Sequence, residues 1–114
     1  MAKHEELFVT QTKPIIRLFF TKMKAEFFSL SEQEKIDFMS RDRANLDELG
    51  MKAISMIDCS EFDSEWDYIG VEQWPSLEAI KQREQFEREA LEIDHYVKYK
   101  TLLGHELSFD SYGK

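Results

Sequence analysis

The segment Ile15–Lys24, with the sequence IIRLFFTKMK, constrains the fold more than any other part of the chain, because it is apolar on two sides. Its Ile and Phe content, directly after Pro14, predicts a β-strand. Alternate side chains of a strand point to opposite faces. One face therefore carries Ile16, Leu18 and Phe20, and the other carries Ile15, Phe19 and Met23. In a small domain one layer of helices covers one face of a sheet, so we expect a second subunit to cover the other.

The length of the chain, 114 residues, is that of a single domain. No apolar run approaches the roughly 20 residues of a membrane span, and residues 1–13 lack the apolar core of a signal peptide. The single cysteine, Cys59, cannot form an intrachain disulfide. These features predict a cytoplasmic protein.

The charge of the chain is acidic, with 23 Asp and Glu against 15 Lys and Arg and a net charge of −8. Residues 53–80 contain seven acidic side chains and no Lys or Arg. Nucleic acids and anionic membrane surfaces both require a positive face on the protein. We therefore expect neither a nucleic acid nor a membrane as a partner.

Local signals predict two helices. The sequence Ser31–Glu34 has the spacing of a capping box, and Gly50 is the usual residue type after the end of a helix, so the first helix runs between them. Ser76 provides an N-cap for the second helix. Within that helix Arg83 and Glu87 are four residues apart and can pair with each other.

Three further strands follow from residue alternation. The segment Met51–Cys59 alternates weakly, Trp66–Trp74 alternates most clearly, and a last strand covers Val97–Leu103. The resulting order β-α-β-β-α-β predicts an α+β, ferredoxin-like domain. Two right-handed crossovers then place both helices on one face of a four-stranded antiparallel sheet. We assign residues 15–107 to this domain, 1–14 to an N-terminal arm and 108–114 to a C-terminal tail.

Three stretches carry a resemblance to a known superfamily: FFSLSEQEKIDFM after the first strand, WDYIGVEQWPSLEAI, and HYVKY before the last strand. Over about residues 15–107 the chain resembles the dimeric α+β barrel superfamily, and within it small uncharacterised bacterial families that include darcynin-like proteins. The resemblance implies a homodimer in which two ferredoxin-like sheets face each other. It implies no single activity, because the superfamily includes monooxygenases, haem-degrading enzymes, lactone isomerases and aldoxime dehydratases.

Monooxygenases of this superfamily typically use an Asn on the first strand, a Trp in the sheet and often a His on the second helix. This chain offers Trp66 or Trp74 and His95, but its only Asn, Asn45, lies in the first predicted helix. A cofactor-free or haem-dependent oxidoreductase is therefore a distant alternative. No cofactor is expected.

An aromatic stripe on the third strand is the main candidate for a ligand site. Alternation places on one face Trp66, Tyr68, Gly70, Glu72 and Trp74. A row of aromatic side chains like this can bind a planar ligand, but such rows more often belong to a hydrophobic core or to a dimer interface. Glu72 between aromatic neighbours is a candidate general acid or base. The favoured alternative for Glu72 is a salt bridge across the dimer to Arg17 or Lys22.

Other candidate site residues come from the helices and the last strand. His95 is a candidate catalytic residue at the open end of a pocket, although a surface or capping role is more common. Tyr96, Tyr99 and Asp42 complete the candidate pocket, with a salt bridge to Arg43 or Arg17 as the alternative role of Asp42. No H-E-x-x-H spacing occurs, and the acidic loop lacks the Gly and Glu of a calcium loop, so no metal is expected.

Two functions follow from this sequence. In the first, a homodimer binds a small apolar or aromatic molecule in a pocket between sheet and helices. In the second, the protein is a non-catalytic structural or interaction module without a pocket. The sequence leaves open whether the protein is an enzyme.

Overall fold

The computed structural model describes residues 13–112, so nearly all of the predicted N-terminal arm lies outside the described residues. The elements in chain order are β1 Ile15–Met23, α1 Ala25–Phe28, α2 Glu32–Glu48, β2 Lys52–Asp58, β3 Tyr68–Trp74, α3 Leu77–Glu89, α4 Ile93–Tyr96 and β4 Val97–Gly104. A short 3-10 turn, Phe109–Ser111, follows the last strand.

The four strands form one sheet in the order β2-β3-β1-β4. Every neighbouring pair is antiparallel, which confirms the predicted α+β, ferredoxin-like fold. Arg17 in the middle of β1 lies opposite Glu72 on β3 and opposite Leu103 on β4. The register therefore brings an arginine and a glutamate side by side at the centre of the sheet.

The helix boundaries follow from the predicted capping residues. The Ser31 hydroxyl accepts a hydrogen bond from the Glu34 backbone amide, and the Glu34 carboxylate accepts one from the Ser31 amide, so the capping box is formed. Gly50 follows α2 with a φ of +84°, a conformation that favours glycine. Ser76 caps α3 by accepting from the Ala79 amide at 3.1 Å.

The helices cover one face of the sheet. The apolar core between the helices and this face consists of Leu46, Trp74, Ala79 and Ile80, with Ile15, Leu49 and Met51 packed around it. The opposite, open face carries half-buried apolar side chains of β1 and β3, and Leu102 of β4 is 53% exposed there. This open face is defined by Ile16, Leu18, Phe20, Ile69, Val71 and Leu102.

Two local features differ from the sequence-based expectation. The four-residue helix α1 was not predicted; it brings Phe27 into the interior, where its ring lies 5.7 Å from the ring of Phe38. Trp66 was predicted to share a face with Trp74, and this is wrong. The chain enters β3 only at Tyr68, and the Trp66 ring lies 5.7 Å from the ring of Phe20 on the open face.

Within residues 13–112, none of the helices has the length and apolar character that crossing a lipid bilayer requires.

Candidate functional site

The centre of the candidate site is the side chain of Arg17, which is 0% exposed between the sheet and the helices. Its Nε donates to Glu72 Oε1 at 2.7 Å, and its Nη2 donates to Glu87 Oε2 at 3.0 Å. Trp74 Nε1 also donates to Glu72 Oε1, at 2.9 Å. One arginine from β1 therefore joins a carboxylate from the sheet to a carboxylate from α3.

Arg83 of α3 extends this set of ion pairs toward α2. Its Nε donates to Glu87 Oε2 at 2.9 Å, which confirms the pairing predicted from their spacing. Its Nη1 donates to Asn45 Oδ1 at 3.0 Å, and its Nη2 donates to Asp42. Together these side chains form what we call the charged network: Arg17, Asp42, Asn45, Glu72, Arg83 and Glu87.

The electrostatics of the charged network keep Arg17 protonated. Burial alone lowers the pKa of Arg17, but the charges of Glu87 and Glu72, with their hydrogen bonds, outweigh burial and raise it above its usual value. Ion pairs removed from water gain little net stability relative to a packed apolar core, because both charges lose hydration.

Aromatic rings surround the Arg17 guanidinium. Its Cζ lies 4.8 Å from the Phe19 ring centroid and 5.3 Å from that of Trp74, both within cation–π range. The Tyr99 ring lies 5.7 Å from the Phe19 ring. Desolvation, with the charges of Asp94 and Glu87, raises the pKa of Tyr99, so its phenol stays neutral at physiological pH. The result is an aromatic environment around a fixed cation.

The candidate residues divide between this site and other surfaces. Glu72 and Trp74 are buried within it, and Tyr99 lies at its edge. Tyr68 is on the same sheet face but is 40% exposed. Glu72 pairs with Arg17 as its alternative role predicted, although the contact lies within one chain. Asp42 also pairs with an arginine, but the partner is Arg83 and not Arg43 or Arg17.

Three candidates lie away from the charged network. Tyr96 packs its ring 5.6 Å from that of Phe38, and the exposed His95 ring lies 4.7 Å from that of Tyr96. Trp66 is covered on the open face by Lys98, whose Nζ lies 5.0 Å from its ring. His95 and Trp66 are therefore not brought together with Glu72.

A shallow, solvent-open groove of about 690 Å³ lies outside the sheet–helix interior, between α2 and α3. Its lining consists of Arg41, Ala44, Asn45, Asp47, Glu48, Phe86 and Ala90. Asn45 belongs both to this groove and to the charged network, so the groove reaches the outer end of that network. In the part of the chain that the structure describes, no group of three His, Cys, Asp or Glu side chains is placed to hold a metal ion.

Sequence reasoning did not single out Arg17, Arg83 and Glu87 as one cluster. The signal was present, because Arg83 and Glu87 interrupt the apolar face of the second helix and Arg17 interrupts an apolar strand. Charged residues at positions where periodicity predicts burial indicate mutual pairing. Their convergence depends on the sheet register, which the sequence alone did not supply.

Comparisons with known proteins bear on the fold. No protein-family model matches the sequence, and no curated protein matches it. A chlorite dismutase from Candidatus Nitrospira defluvii matches 92% of this chain with a TM-score of 0.67 and 8% identity, and this chain spans 44% of that protein. A second similar structure is RPA0582 from Rhodopseudomonas palustris, a protein of unknown function. The matched region covers 91% of this chain and 94% of the RPA0582 chain, with a TM-score of 0.57 and 14% identity.

A third similar structure is SnoaB, a cofactor-independent oxygenase from Streptomyces nogalater. The matched region covers 90% of this chain and 99% of the SnoaB chain, with a TM-score of 0.53 and 12% identity. At such identities the likeness shows a shared fold alone. The finer resemblance to darcynin-like families stays a prediction.

Proposed function

We propose that the protein is a cytoplasmic homodimer that binds a small aromatic molecule between its sheet and its helices, beside Arg17. The observation that supports this proposal is Arg17, a permanently charged side chain held by two carboxylates and flanked by two aromatic rings. Because Arg17 is fully buried, a ligand reaches it only when the helices move away from the sheet. Ligand sites typically combine aromatic walls with a few polar groups at fixed positions.

The homodimer is the second part of the proposal and is supported by the open face of the sheet. That face lies opposite the helices and is apolar in its middle, from Ile16 to Phe20 on β1 and over Ile69 and Val71 on β3, with Lys22 and Gln73 at its ends. Contiguous apolar surface exposed to water is favourably buried against another protein surface. Two copies packed open face to open face would cover it by an isologous contact, in which each copy uses the same residues.

A structural or interaction module without a pocket is the second candidate function. It is favoured by the tight filling between sheet and helices, where the largest fully buried side chains are Trp74, Arg17, Ile80, Leu91 and Glu87. In this alternative the charged network serves only to join α2, α3 and the sheet.

Native mass spectrometry of the freshly purified protein, compared with its denatured mass, separates the two candidates. The proposal predicts a dimer with additional mass that is lost on denaturation and can be identified in the extract. A dimer without added mass, before and after incubation with naphthalene-sized aromatic compounds, would support the interaction module. A monomer would contradict both the dimer and the role given to the open face.

A further inference from the structure

The chain after β4 presents large apolar side chains to solvent. In residues 105–112, which we call the C-terminal arm, Leu107 is 71% exposed and Phe109 is 89% exposed. The turn Phe109–Ser111 is fixed locally, because the Ser108 hydroxyl accepts a hydrogen bond from the Asp110 amide at 3.1 Å. Exposed apolar side chains that lie close together mark a surface that another protein surface covers.

The edge strand β2 presents a second exposed apolar surface. All the residues of Lys52–Asp58 are exposed, and Ile54, Met56 and Ile57 are the large apolar ones. One side of β2 pairs with β3, and its other side has no strand partner within residues 13–112. An open apolar edge strand pairs readily with other chains, and natural proteins usually cover it. We therefore expect this edge to be covered in the native assembly.

The sheet register places the start of the C-terminal arm level with the start of β2. Ile16 of β1 pairs with Gln73 on one side and with Gly104 on the other. Gln73 also pairs with Lys52 of β2. Lys52 and Gly104 therefore lie in one row across the sheet, at its two edges, and three strand spacings or roughly 14 Å separate them.

Two copies packed open face to open face bring these two edges together. A two-fold axis parallel to the strands, midway between the sheets, reverses the strand order β2-β3-β1-β4, so β4 of one copy lies over β2 of its partner. Packed sheets are about 10 Å apart, and residues 105–112 extend up to about 26 Å. The partner's β2 is therefore closer to the end of β4 than β2 of the same chain, and within reach of the C-terminal arm.

The charges at the two edges are complementary. Glu106 lies near the beginning of the C-terminal arm, and Lys52 lies at the beginning of β2; both are exposed. Neither side chain forms an ion pair within the described residues. In the packed dimer the two would approach each other from opposite copies. Complementary charges of this kind orient a contact more than they strengthen it.

We propose that the C-terminal arm of each copy packs Leu107 and Phe109 against the exposed apolar side chains of β2 in its partner. The proposal rests on the proposed homodimer and specifies which surfaces the second copy uses. Each arm covers an apolar edge strand and loses its own exposed apolar surface in return. The contact is isologous, because both copies contribute the same arm and the same strand.

Photo-crosslinking from the C-terminal arm tests the proposal. Phe109 is replaced by p-benzoylphenylalanine in the full-length protein. Isotope-labelled and unlabelled chains are mixed, and crosslinked peptides are identified by mass spectrometry, so that crosslinks between chains are distinguished from those within one chain. We expect crosslinks from the replaced residue to β2 of the other chain. The same replacement at Phe28 is the control, because Phe28 is also exposed but lies on α1, and it should give no crosslink to β2.

A double substitution measures what the C-terminal arm contributes to the dimer. In the variant with Leu107→Ser and Phe109→Ser, the dimer dissociation constant in analytical ultracentrifugation should rise about tenfold or more, because each dimer loses apolar contacts at two arms. Phe28→Ser should leave the dissociation constant unchanged. Circular dichroism establishes that both variants are folded.

The outcomes separate this proposal from the proposed function. Crosslinks from Phe109 only within one chain, or only to a surface of the partner other than β2, would overturn the arm exchange and leave the homodimer standing. An unchanged dissociation constant for the double variant would also overturn it alone. A wild-type protein that is monomeric at micromolar concentration would overturn the proposed homodimer and this proposal with it.

Discussion

Glu87 is the residue on which the charged network depends most, because a single oxygen of its carboxylate accepts from two arginines. Arg17 Nη2 lies 3.0 Å from this oxygen, and Arg83 Nε lies 2.9 Å from it. The side chain is almost fully buried, so water cannot replace the carboxylate. The negative charge of Glu87 therefore stabilises two cations that are also out of contact with solvent.

Substitution Glu87→Gln should destabilise the protein by about 2–3 kcal/mol, because it removes a buried counter-charge shared by two guanidinium groups and leaves Arg17 with Glu72 and Arg83 with Asp42. The free energy of unfolding is measured by urea denaturation at neutral pH. Glu89→Gln is the matched control: Glu89 is exposed on the same helix and contacts Gln85, so its change should stay within about 0.5 kcal/mol. Equal, small effects of the two substitutions would contradict the importance of the charged network for stability.

Tyr99 should make the stability of the protein decrease at alkaline pH. Its pKa is raised in the folded state by desolvation and by the charges of Asp94 and Glu87. As the pH rises through the ordinary tyrosine value of about 10, the unfolded chain loses this proton first, and unfolding becomes more favourable until the folded pKa is passed. Below that range the proton is bound in both states, so the contribution of Tyr99 is constant.

The variant Tyr99→Phe should therefore lose less stability than the wild type between about pH 9 and pH 11, in urea denaturation series at each pH. Tyr112→Phe is the control, because Tyr112 is 72% exposed and its removal should leave the wild-type pH dependence unchanged. The same pH dependence in Tyr99→Phe and in the wild type would show that Tyr99 is not the responsible group.

At the scale of elements, Gly50 determines how the chain passes from α2 into β2. Its φ of +84° lies in the left-handed region, where a side chain is disfavoured. Space is not the obstacle, since an added Cβ would lie 3.4 Å from Pro75 Cγ, an ordinary contact. The requirement for glycine here is conformational.

Gly50→Ala should accordingly destabilise the protein by about 1–2 kcal/mol, measured as the shift in the urea midpoint at constant m-value. Gly104→Ala serves as the comparison. The φ of Gly104 is not positive, and no atom lies within 4 Å of a Cβ added there. Its effect should stay within about 0.5 kcal/mol. A neutral Gly50→Ala variant would show that the end of α2 can adopt another conformation.

The sequence predicted the elements better than their mutual contacts. The capping box at Ser31, the N-cap at Ser76 and the end of α2 at Gly50 are local signals, and each was found in the structure. The face of Trp66 was predicted wrongly because alternation was extended through a loop. There the backbone amides of Glu65 and Trp66 donate to the Asp63 carboxylate, so this stretch forms a loop and β3 begins only at Tyr68.

The candidate site was predicted only in part, because its contacts join residues far apart in the chain. The pair Arg83 and Glu87 lies within one helix and could be predicted from spacing. Arg17 and Glu72 were recognised as partners, but whether they pair within a chain or across a dimer depends on how β1 aligns with β3. The partner of Asp42 depends on how α2 and α3 pack, which local patterns do not specify.

At the scale of the whole molecule, the open face of the sheet accounts for the proposed homodimer. Leu18 at its centre lies opposite Val71 on one side and Leu102 on the other. Helices cover only the other face. On the open face Trp66 and Lys100 lie against Phe20, whereas Leu102 is 53% exposed. Burial of such a surface gains roughly 25 cal/mol for each Å² of apolar area, which favours association.

Leu102→Arg should convert the proposed dimer to a monomer at micromolar concentration, because it places a charge beside Leu18 in the apolar contact. The mass is measured by size-exclusion chromatography with multi-angle light scattering. Ile36→Arg is the control: Ile36 is 57% exposed, close to the 53% of Leu102, but it lies on α2 on the helical side. A dimer that survives Leu102→Arg and is lost in Ile36→Arg would place the interface on the helices.

The central claim, that the protein is a homodimer that binds a small aromatic molecule beside Arg17, is tested most directly by a crystal structure of the freshly purified protein. We predict two copies packed open face to open face, with electron density for an aromatic molecule in contact with the Arg17 side chain in each copy. Two copies that touch through their helices, or an Arg17 that contacts only protein and water, would contradict the account.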